Sequence, residues 1–384
     1  MNTTPIRSKL PNVGTTVFTV MSGLATETGA INLSQGFPDF DCDPKLTEAV
    51  ADAMRNAKNQ YAPMPGLMYL REQISQMVKK VYGATYDPVS EITVCSGATE
   101  ALLSGIFAVL HPGEEAIVLE PAYDSYLPAI KLAGGIPIRI PLQFPDYKVD
   151  WERVASSVSS KTKLILVNSP HNPTGSILSA DDLQELEALA EKHNLIVIGD
   201  EVYEHMIYDG LRHESICRYP TLAKRSMVIS SFGKSMHVTG WKVGYCLAPK
   251  ELSIEFRKVH QFATFSTSTP FQYGIAHYLE HEFDKVAGLS DFYQEKRDLF
   301  LKLMEGSKFE PLPCKGTYFQ LMRYDKVSDL GDYDFSKWLT REKGVACIPV
   351  SVFYENKQDN GVVRFCFAKT EAVLEAACER LQKL

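Results

Sequence analysis

The sequence lacks features that would assign it to a membrane or a nucleic acid. No uninterrupted apolar stretch approaches the roughly 20 residues that a transmembrane helix needs. Lysine and arginine total 40 against 47 acidic residues, a formal net charge of -7, and nothing offers the clustered basic excess that binds nucleic acids or anionic lipid. We therefore expect a small-molecule ligand, with no nucleic acid and no membrane as a partner.

Other absences concern the cysteines, the first residues and repetition. The eight cysteines show no Cys-x-x-Cys spacing and mostly fall inside apolar patterns, so we expect buried free thiols and no metal site. Met1-Asn-Thr-Thr-Pro5 carries no apolar leader, which predicts a cytoplasmic protein. There is no internal repeat and no low-complexity segment.

What the sequence does contain is an alternation of apolar runs and helical patterns, which predicts an α/β fold with a mostly parallel central sheet. We place its strands at 92–95, 116–120, 136–140, 163–168, 195–198, 227–230 and 243–247, with a helix over 181–190. Beyond residue 288, helices near 291–305, 334–343 and 370–383 accompany strands at 316–322, 345–348 and 362–367. We predict a large domain over 45–287, and an N-terminal arm (1–44) with a smaller α+β domain (288–384) that clamps the substrate.

Two charged residues follow neighbouring core strands. Asp200 ends the run Leu195-Ile-Val-Ile-Gly-Asp200, and Lys234 follows in Ile229-Ser-Ser-Phe-Gly-Lys234. Burying an isolated carboxylate or ammonium is costly, so this pair suggests a ligand that needs both charges. Pyridoxal phosphate meets that need, because its aldehyde requires a lysine amine for a Schiff base and its pyridinium nitrogen requires a carboxylate.

Three other segments offer contacts for such a cofactor. Val94-Cys-Ser-Gly-Ala-Thr-Glu-Ala-Leu102 is a strand-to-helix junction whose free N–H groups suit a phosphate, although a plain helix cap has the same residues. Tyr123 can stack on a flat ring or simply pack. Asn172, in the loop Asn168-Ser-Pro-His-Asn-Pro-Thr-Gly175, and Tyr203 can donate to the ring oxygen. For His171 we expect loop packing.

Taken in order, these segments resemble the fold-type I, class I aminotransferases, which are pyridoxal phosphate enzymes that act as homodimers. The resemblance covers nearly the whole chain and rests on Ser-Gly-Ala-Thr-Glu, Pro-His-Asn-Pro-Thr-Gly, Asp-Glu-Val-Tyr, Ser-Phe-Gly-Lys and Gly-Trp-Lys-Val-Gly. The segments 32–40, Asn59-Gln-Tyr-Ala-Pro63 and Arg364-Phe-Cys-Phe-Ala368 are most similar to the kynurenine/glutamine branch and, within it, to bacterial methionine aminotransferases.

The resemblance implies a role for each matching residue. Lys234 forms the Schiff base, Asp200 faces the pyridinium nitrogen, and Asn172 and Tyr203 contact the ring oxygen. Tyr123 stacks on the ring. The phosphate is held by Gly97, Ala98, Thr99, Ser231 and Lys242, with Tyr61 reaching in from the partner subunit.

Substrate contacts are implied in the same way. Arg364 and the Gly36 backbone contact the α-carboxylate, with a structural salt bridge as the alternative for Arg364, and Asn172 is a substrate contact as well. Lys242 stands where aspartate-type relatives have arginine, so a point charge replaces a bidentate fork. The segment 259–270 contains none of the second arginines used by dicarboxylate-specific relatives, which disfavours acidic side chains. Aromatic residues are the candidates for an apolar side-chain pocket, although each of them is also a normal core residue: Phe18, Tyr61, Phe265, Phe319 and Phe353.

The expected reaction is ping-pong transfer of an amino group from methionine, an aromatic or a similar apolar L-amino acid to a 2-oxo acid, with Lys234 as general base and acid. The nearest alternative is a pyridoxal phosphate-dependent cysteine-conjugate β-lyase, which would use the same Lys234 and Asp200. A non-catalytic regulator of the same fold is a remote alternative, because no basic helix precedes the first family motif. The intact set Asp200, Tyr203, Lys234 and Arg364 argues against a catalytically dead homologue.

Overall fold

The computed structural model describes residues 6–384, so the start Met1–Pro5, used above to predict location, lies outside the described residues. Within this range the helices are α1 Val17–Thr28, α2 Pro44–Arg55, α3 Met68–Tyr82, α4 Ala98–Val109, α5 Tyr126–Leu132, α6 Trp151–Ser156, α7 Ala180–His193, α8 Pro220–Ala223, α9 Phe232–Ser235, α10 Lys250–Ala263, α11 Thr269–Ala287, α12 Leu289–Leu303, α13 Asp332–Lys343 and α14 Glu371–Leu381. The strands are β1 Ile31–Asn32, β2 Ile92–Cys95, β3 Glu115–Glu120, β4 Ile136–Pro141, β5 Thr162–Asn168, β6 Ile196–Asp200, β7 Ser226–Ser231, β8 Gly244–Leu247, β9 Glu310–Pro311, β10 Phe319–Arg323, β11 Val345–Ala346, β12 Ile348–Pro349 and β13 Val362–Cys366.

The central sheet has seven strands in the order β2-β8-β7-β6-β5-β3-β4. Every pair from β7 to β4 is parallel, whereas β8 runs antiparallel to both of its neighbours. The predicted α/β fold with a mostly parallel sheet is confirmed. Because β6 and β7 are adjacent and parallel, their carboxyl ends bring Asp200 and the segment after Ser231 to the same edge of the sheet.

Local sequence features explain why helices form beside this sheet. The strands are almost wholly buried, as expected where crossover helices occupy both faces. In α7, which contains the predicted helix 181–190, Ser179 and Asp182 form a capping box. At α4 the chain turns through Gly97, whose φ of +80° is unfavourable for residues with a side chain, and the helix begins at Ala98.

A second, antiparallel sheet has the order β12-β13-β10-β9 and lies beside a two-stranded parallel pair, β1 with β11. The prediction of a single strand over 345–348 was wrong. Val345 pairs with Ile31 of the N-terminal arm, whereas Ile348 pairs with Arg364 of β13, so the segment is divided between two sheets. The strand predicted from residue 316 begins at Phe319.

The N-terminal arm is tied to the C-terminal part of the chain. Besides the pairing of β1 with β11, the backbone N–H of Cys366 donates to the carbonyl oxygen of Leu33 over 2.8 Å.

The domain boundaries predicted from the sequence stay a prediction. Across residues 6–384, no helix combines the length and the apolar character needed to cross a membrane.

Candidate active site

A cavity of about 220 Å³ opens at the carboxyl edge of the central sheet and is lined by residues of both large sheets and of the N-terminal arm. Of the residues predicted for the site, those that line it are Phe18, Gly36, Ala98, Thr99, Tyr123, Asn172, Asp200, Tyr203, Ser231, Lys234, Lys242, Phe319 and Arg364. These residues are scattered from the first helix to the last strand of the second sheet. The fold therefore brings together what the sequence separates.

Asp200 contributes a buried carboxylate to this cavity. Burial raises its pKa to about 6, and the hydroxyl of Tyr126, which donates to Oδ2 over 2.6 Å, partly opposes that rise. The backbone N–H of Val202 donates to Oδ1 over 3.3 Å. Both oxygens are thus oriented by neutral donors, and the carboxylate can still bind a cationic N–H from a ligand.

Lys234 projects from the short helix α9, directly after β7. Its Nζ donates to the hydroxyl oxygen of Tyr318 over 2.8 Å and to the carbonyl oxygen of Gly36 over 3.2 Å. Burial lowers its pKa to about 8, and the positive charges of Lys242 and Arg364 act in the same direction. Such a lysine exists as a neutral amine more readily than an exposed one does.

Arg364 is a buried cation on β13, 1% exposed. Its Nη1 donates to Asn172 Oδ1 over 2.7 Å, its Nη2 donates to the Ser34 carbonyl oxygen over 3.1 Å, and its Nε has no hydrogen-bond partner among the described residues. The guanidinium carbon lies 3.8 Å from the centre of the Phe319 ring. No salt bridge joins Arg364 to an acidic residue in the described chain, which disfavours the structural ion pair considered above.

The loop after β5 is held by side chains. Asn168 Nδ2 donates to the Asp200 carbonyl oxygen over 2.8 Å, and Asn168 Oδ1 accepts from the Asn172 backbone N–H over 2.8 Å. Asn172 is thereby fixed between Asp200 and Arg364. His171 points away into the loop, where it contacts Thr174 Oγ1 over 2.7 Å and burial lowers its pKa to about 3, in agreement with a packing role.

The other end of the cavity has the geometry of an anion site. A Cβ added at Gly97 would lie 3.2 Å from Lys242 Nζ, so glycine lets this cation approach the start of α4. First-turn N–H groups of a helix lack intrahelical partners and favour anions. Ser231 lies on the same wall, where its Oγ accepts from the Gly233 backbone N–H over 3.2 Å.

The charged side chains that line the cavity can be compared with the charged groups of the predicted cofactor. Lys234, Lys242 and Arg364 face it together with Asp200, and within the described chain no acidic side chain forms a salt bridge with any of the three cations. The cations therefore have room for a phosphate and for a second anionic ligand, while Asp200 suits a protonated pyridine nitrogen. The donor set fits pyridoxal phosphate together with an amino-acid carboxylate.

Four predicted residues lie outside the lining: Gly97, Tyr61, Phe265 and Phe353. Gly97 lies directly behind Lys242, which does line the cavity: a Cβ added at Gly97 would be 3.2 Å from Lys242 Nζ. Tyr61, 82% exposed, and Phe265, 46% exposed, pack edge to face with ring centres 5.1 Å apart on the surface. A single chain therefore does not place Tyr61 or Phe265 in its own cavity. Of the remaining aromatic candidates, Phe319 lines the cavity and Phe353 packs 5.9 Å from Phe18.

Two tyrosines of the site were missed from the sequence. Tyr126 binds Asp200, and its position three residues after Tyr123 at the start of α5 was a weak signal. Tyr318 contacts both Lys234 Nζ and the Gly36 carbonyl oxygen, across 84 and 282 residues of chain. Nothing in the local sequence around Tyr318 indicates these contacts.

Comparison with known proteins gives a consistent set of similarities. A family model described as aminotransferase class I and II matches residues 28–381. The methionine aminotransferase of Escherichia coli (strain K12) is 48% identical over 378 residues, covering 98% of each chain. A solved structure of Escherichia coli YbdL, for which a methionine aminotransferase function was identified, superposes with a TM-score of 0.98 at 48% identity over 100% of both chains.

More distant relatives share the same coverage. A probable N-succinyldiaminopimelate aminotransferase DapC of Mycobacterium tuberculosis is 37% identical over 98% of each chain. A kynurenine–oxoglutarate transaminase of Dictyostelium discoideum is 34% identical over 97% of this chain and 94% of its own.

The raised pKa of Asp200 predicts a pH-dependent stability in the cofactor-free protein. A carboxyl whose folded-state pKa lies above its unfolded value of about 4 loses stabilising free energy as the pH rises from there through about 6. We expect Asp200→Asn to increase the free energy of unfolding by an amount that grows between these pH values and levels off near pH 7, at about 2–3 kcal/mol. Urea unfolding of the apoprotein at pH 5, 6 and 7.5 measures it.

The matched control is Asp284→Asn, because that carboxylate is 98% exposed at the end of α11. It should leave the pH profile of the wild type unchanged. A constant difference between Asp200→Asn and wild type at all three pH values would show that Asp200 does not titrate as the burial argument requires.

Proposed function

The chain belongs to the aminotransferase class I and II family, and on that premise we propose that its amino donors are methionine and other apolar or aromatic L-amino acids. It is a pyridoxal phosphate-dependent transaminase of fold type I. The family, fold, activity and cofactor predicted from the sequence are confirmed. The roles of individual residues and the oligomeric state are our proposals. The relatives reported above are all aminotransferases, and none is a lyase.

One observation carries the proposed function: buried Arg364 has no acidic partner in the described chain and lies in the same cavity as Lys234. A carboxylate arriving from solvent would neutralise this cation, and the neutral amide of Asn172 already orients its Nη1. The α-carboxylate of an amino acid is a natural occupant, because a guanidinium fork can bind both of its oxygens.

Pyridoxal phosphate, when bound, supplies an aldehyde that takes up the amino group and a pyridine ring that withdraws electrons from the substrate α-carbon. Asp200 would hold a proton on the pyridine nitrogen. Lys234, whose pKa of about 8 leaves a useful fraction as free amine at neutral pH, would take the proton from the substrate α-carbon and deliver it to the carbon of the cofactor's aldehyde group. Tyr318 and the Gly36 carbonyl oxygen would hold the Lys234 amine close to that position.

Other residues would bind and orient. Lys242, Ser231 and the first-turn N–H groups at Ala98 and Thr99 would hold the phosphate, with Gly97 leaving space for the approach of Lys242. Tyr123 lies on the cavity wall, where it can stack on the pyridine ring. Tyr203 and Asn172 would contact the ring oxygen. Burial raises the pKa of Tyr203, so its hydroxyl stays protonated and can donate.

The choice of an apolar side chain follows from the residues around Arg364. Phe18 and Phe319 line the cavity, and the Arg364 guanidinium lies 5.4 Å from the Phe18 ring centre. Among the described residues, the lining contains no arginine besides Arg364, so a side-chain carboxylate has no second guanidinium to bind. The similarity to methionine aminotransferase supports the same choice.

A homodimer would complete the site. Tyr61 and Phe265 pack on each other, and Phe262, which is 88% exposed, lies three residues before Phe265 in the chain; we treat these three exposed aromatic residues as one patch that a single chain leaves in solvent. We propose that this patch packs on a second copy and brings Tyr61 to the partner's phosphate, with Phe265 carried along because it packs on Tyr61. All eight cysteines are free and seven of them are buried, which supports the cytoplasmic location we propose.

The first test is the half-reaction. Adding L-methionine to the holoenzyme without a 2-oxo acid should bleach the visible band of the bound cofactor and yield one equivalent of 2-oxo acid per chain. Lys234→Ala should slow this conversion by at least about 10³-fold, because it removes the proton-transferring group. Stopped-flow absorbance measures both rates.

Lys192→Ala is the matched control, because that lysine is exposed in the last turn of α7, and its rate should equal that of wild type. A Lys234→Ala protein that converts methionine near the wild-type rate would refute the role given to this lysine. Release of ammonia without a second substrate would instead indicate a lyase.

The role of Arg364 is tested by pairing a variant with a truncated substrate. Arg364→Met should lower kcat/KM for L-methionine by about 10²-fold or more, as expected when one partner of a buried charge pair is removed. For 3-(methylthio)propylamine, which lacks the α-carboxylate, wild type and variant should differ by less than about threefold. Half-reaction rates under subsaturating conditions give both ratios. Equal losses for the two amines would mean that Arg364 does not bind the carboxylate.

The dimer is tested by sedimentation equilibrium of the holoenzyme, which should give twice the chain mass of 42.9 kDa. Phe262→Asp should raise the dimer dissociation constant, whereas Leu211→Asp, at another exposed apolar position, should not. Tyr61→Phe should keep the dimer and weaken cofactor binding about tenfold through one lost hydrogen bond to phosphate. A monomeric holoenzyme with full activity would contradict this proposal.

A further inference from the structure

One cluster of metal-ligating side chains lies apart from the active site, on the exposed face of α11. One imidazole nitrogen each from His277 and His281 and a carboxylate oxygen of Glu280 lie within 4.8 Å of one another. The spacing His-x-x-Glu-His puts the two histidines one turn apart on the same helix face, as in the zinc-binding helices of metalloenzymes. The two imidazole ring centres are 4.2 Å apart.

Hydrogen bonds already orient two of the three side chains of this cluster, His281 and Glu280. His281 Nδ1 donates to the His277 carbonyl oxygen over 2.9 Å, so its proton is on Nδ1 and its Nε2 carries the lone pair that a metal needs. Metal-binding histidines commonly donate their second N–H to a carbonyl or carboxylate in this way. Glu280 is oriented as well, because the Tyr69 hydroxyl of α3 donates to its Oε2 and leaves Oε1 free.

The neighbouring charges leave the cluster available to a cation. Three of the lysines around this end of α11 are paired with other acids: Lys45 with Glu282, Lys80 with Asp284, and Lys285 with Asp43. A fourth, Lys58, lies over the Tyr273 ring, with its Nζ 5.2 Å from the ring centre. None of these pairs involves Glu280. Within the described chain its carboxylate has no lysine or arginine at salt-bridge distance, and the Nδ1 of His281 lies 3.8 Å from it.

We propose that His277, Glu280 and His281 form a surface site for a divalent transition metal ion such as Zn²⁺ or Cu²⁺. Two imidazoles and one carboxylate are ligands that these ions accept, and water would complete the coordination of an exposed site. The site contains no cysteine, so the absence of Cys-x-x-Cys spacing does not bear on it. It is independent of the proposed transamination.

The position of the site gives a bound ion a mechanical consequence. Glu282, the next residue, has non-helical backbone angles (φ −127°, ψ 23°), and α12 starts two residues after the end of α11. An ion held by residues 277, 280 and 281 would link side chains of the last regular turn before this break. It would therefore oppose unwinding of the helix from the break backwards.

The test uses chelator-treated holoenzyme titrated with zinc chloride by calorimetry in a buffer that does not coordinate metals. We expect one ion per chain, with His277→Ala and His281→Ala each weakening binding at least tenfold. His111→Ala is the control, because His111 is exposed and its hydrogen bonds to Glu114 are made by its backbone N–H and carbonyl oxygen. It should bind as wild type does.

Two further readouts localise the ion. Electron paramagnetic resonance of the Cu²⁺ complex should show coupling to two imidazole nitrogens, and bound Zn²⁺ should slow amide hydrogen exchange in residues 278–287. Absence of stoichiometric binding, or binding unchanged in the His277→Ala/His281→Ala double variant, would overturn the proposal. Protection confined to another part of the chain would overturn it equally.

Discussion

The structure depends on bringing together charged side chains that do not neutralise one another. Lys234, Lys242, Arg364 and Asp200 converge on one cavity, yet the described chain forms no salt bridge among them. Each of the two deepest cations is held by neutral oxygens instead, Lys234 by Tyr318 and Gly36 and Arg364 by Asn172 and Ser34. Such an arrangement is costly without a ligand, and in the proposed site the cofactor and the substrate would supply the missing partners.

The fold supports this arrangement because two sheets supply different residues of the cavity. The parallel sheet presents Asp200 and Lys234 at the ends of adjacent strands, where neither backbone can move without disturbing a buried core. The antiparallel sheet supplies Arg364 and Phe319 from β13 and β10. In the proposed site, cofactor contacts would thus come mainly from the first sheet and substrate contacts from the second, which would let the two sets of interactions be adjusted separately.

Neutral donors and burial adjust the chemistry of the charged groups. The pKa of Asp200 is raised by burial and partly restored by Tyr126, so its proton affinity approaches that needed to share a proton with a pyridine nitrogen. The pKa of Lys234 is lowered by burial and by neighbouring cations, which favours the free amine. The same physical cause, desolvation, acts on both residues in the direction that proton transfer near neutral pH requires.

What the sequence determined by itself was local. Strand and helix patterns predicted the sheet of the large unit. Strand-end charges and short motifs, together with the family resemblance that these motifs carry, predicted thirteen of the residues that line the cavity, because each of these signals lies within a short segment. Only the tertiary structure decided that 345–348 is divided between two sheets and that Tyr318 holds Lys234, since both depend on partners far away in the chain. It also decided that Tyr61 and Phe265 lie on the surface, because whether an aromatic residue faces the core or solvent depends on the elements packed around it.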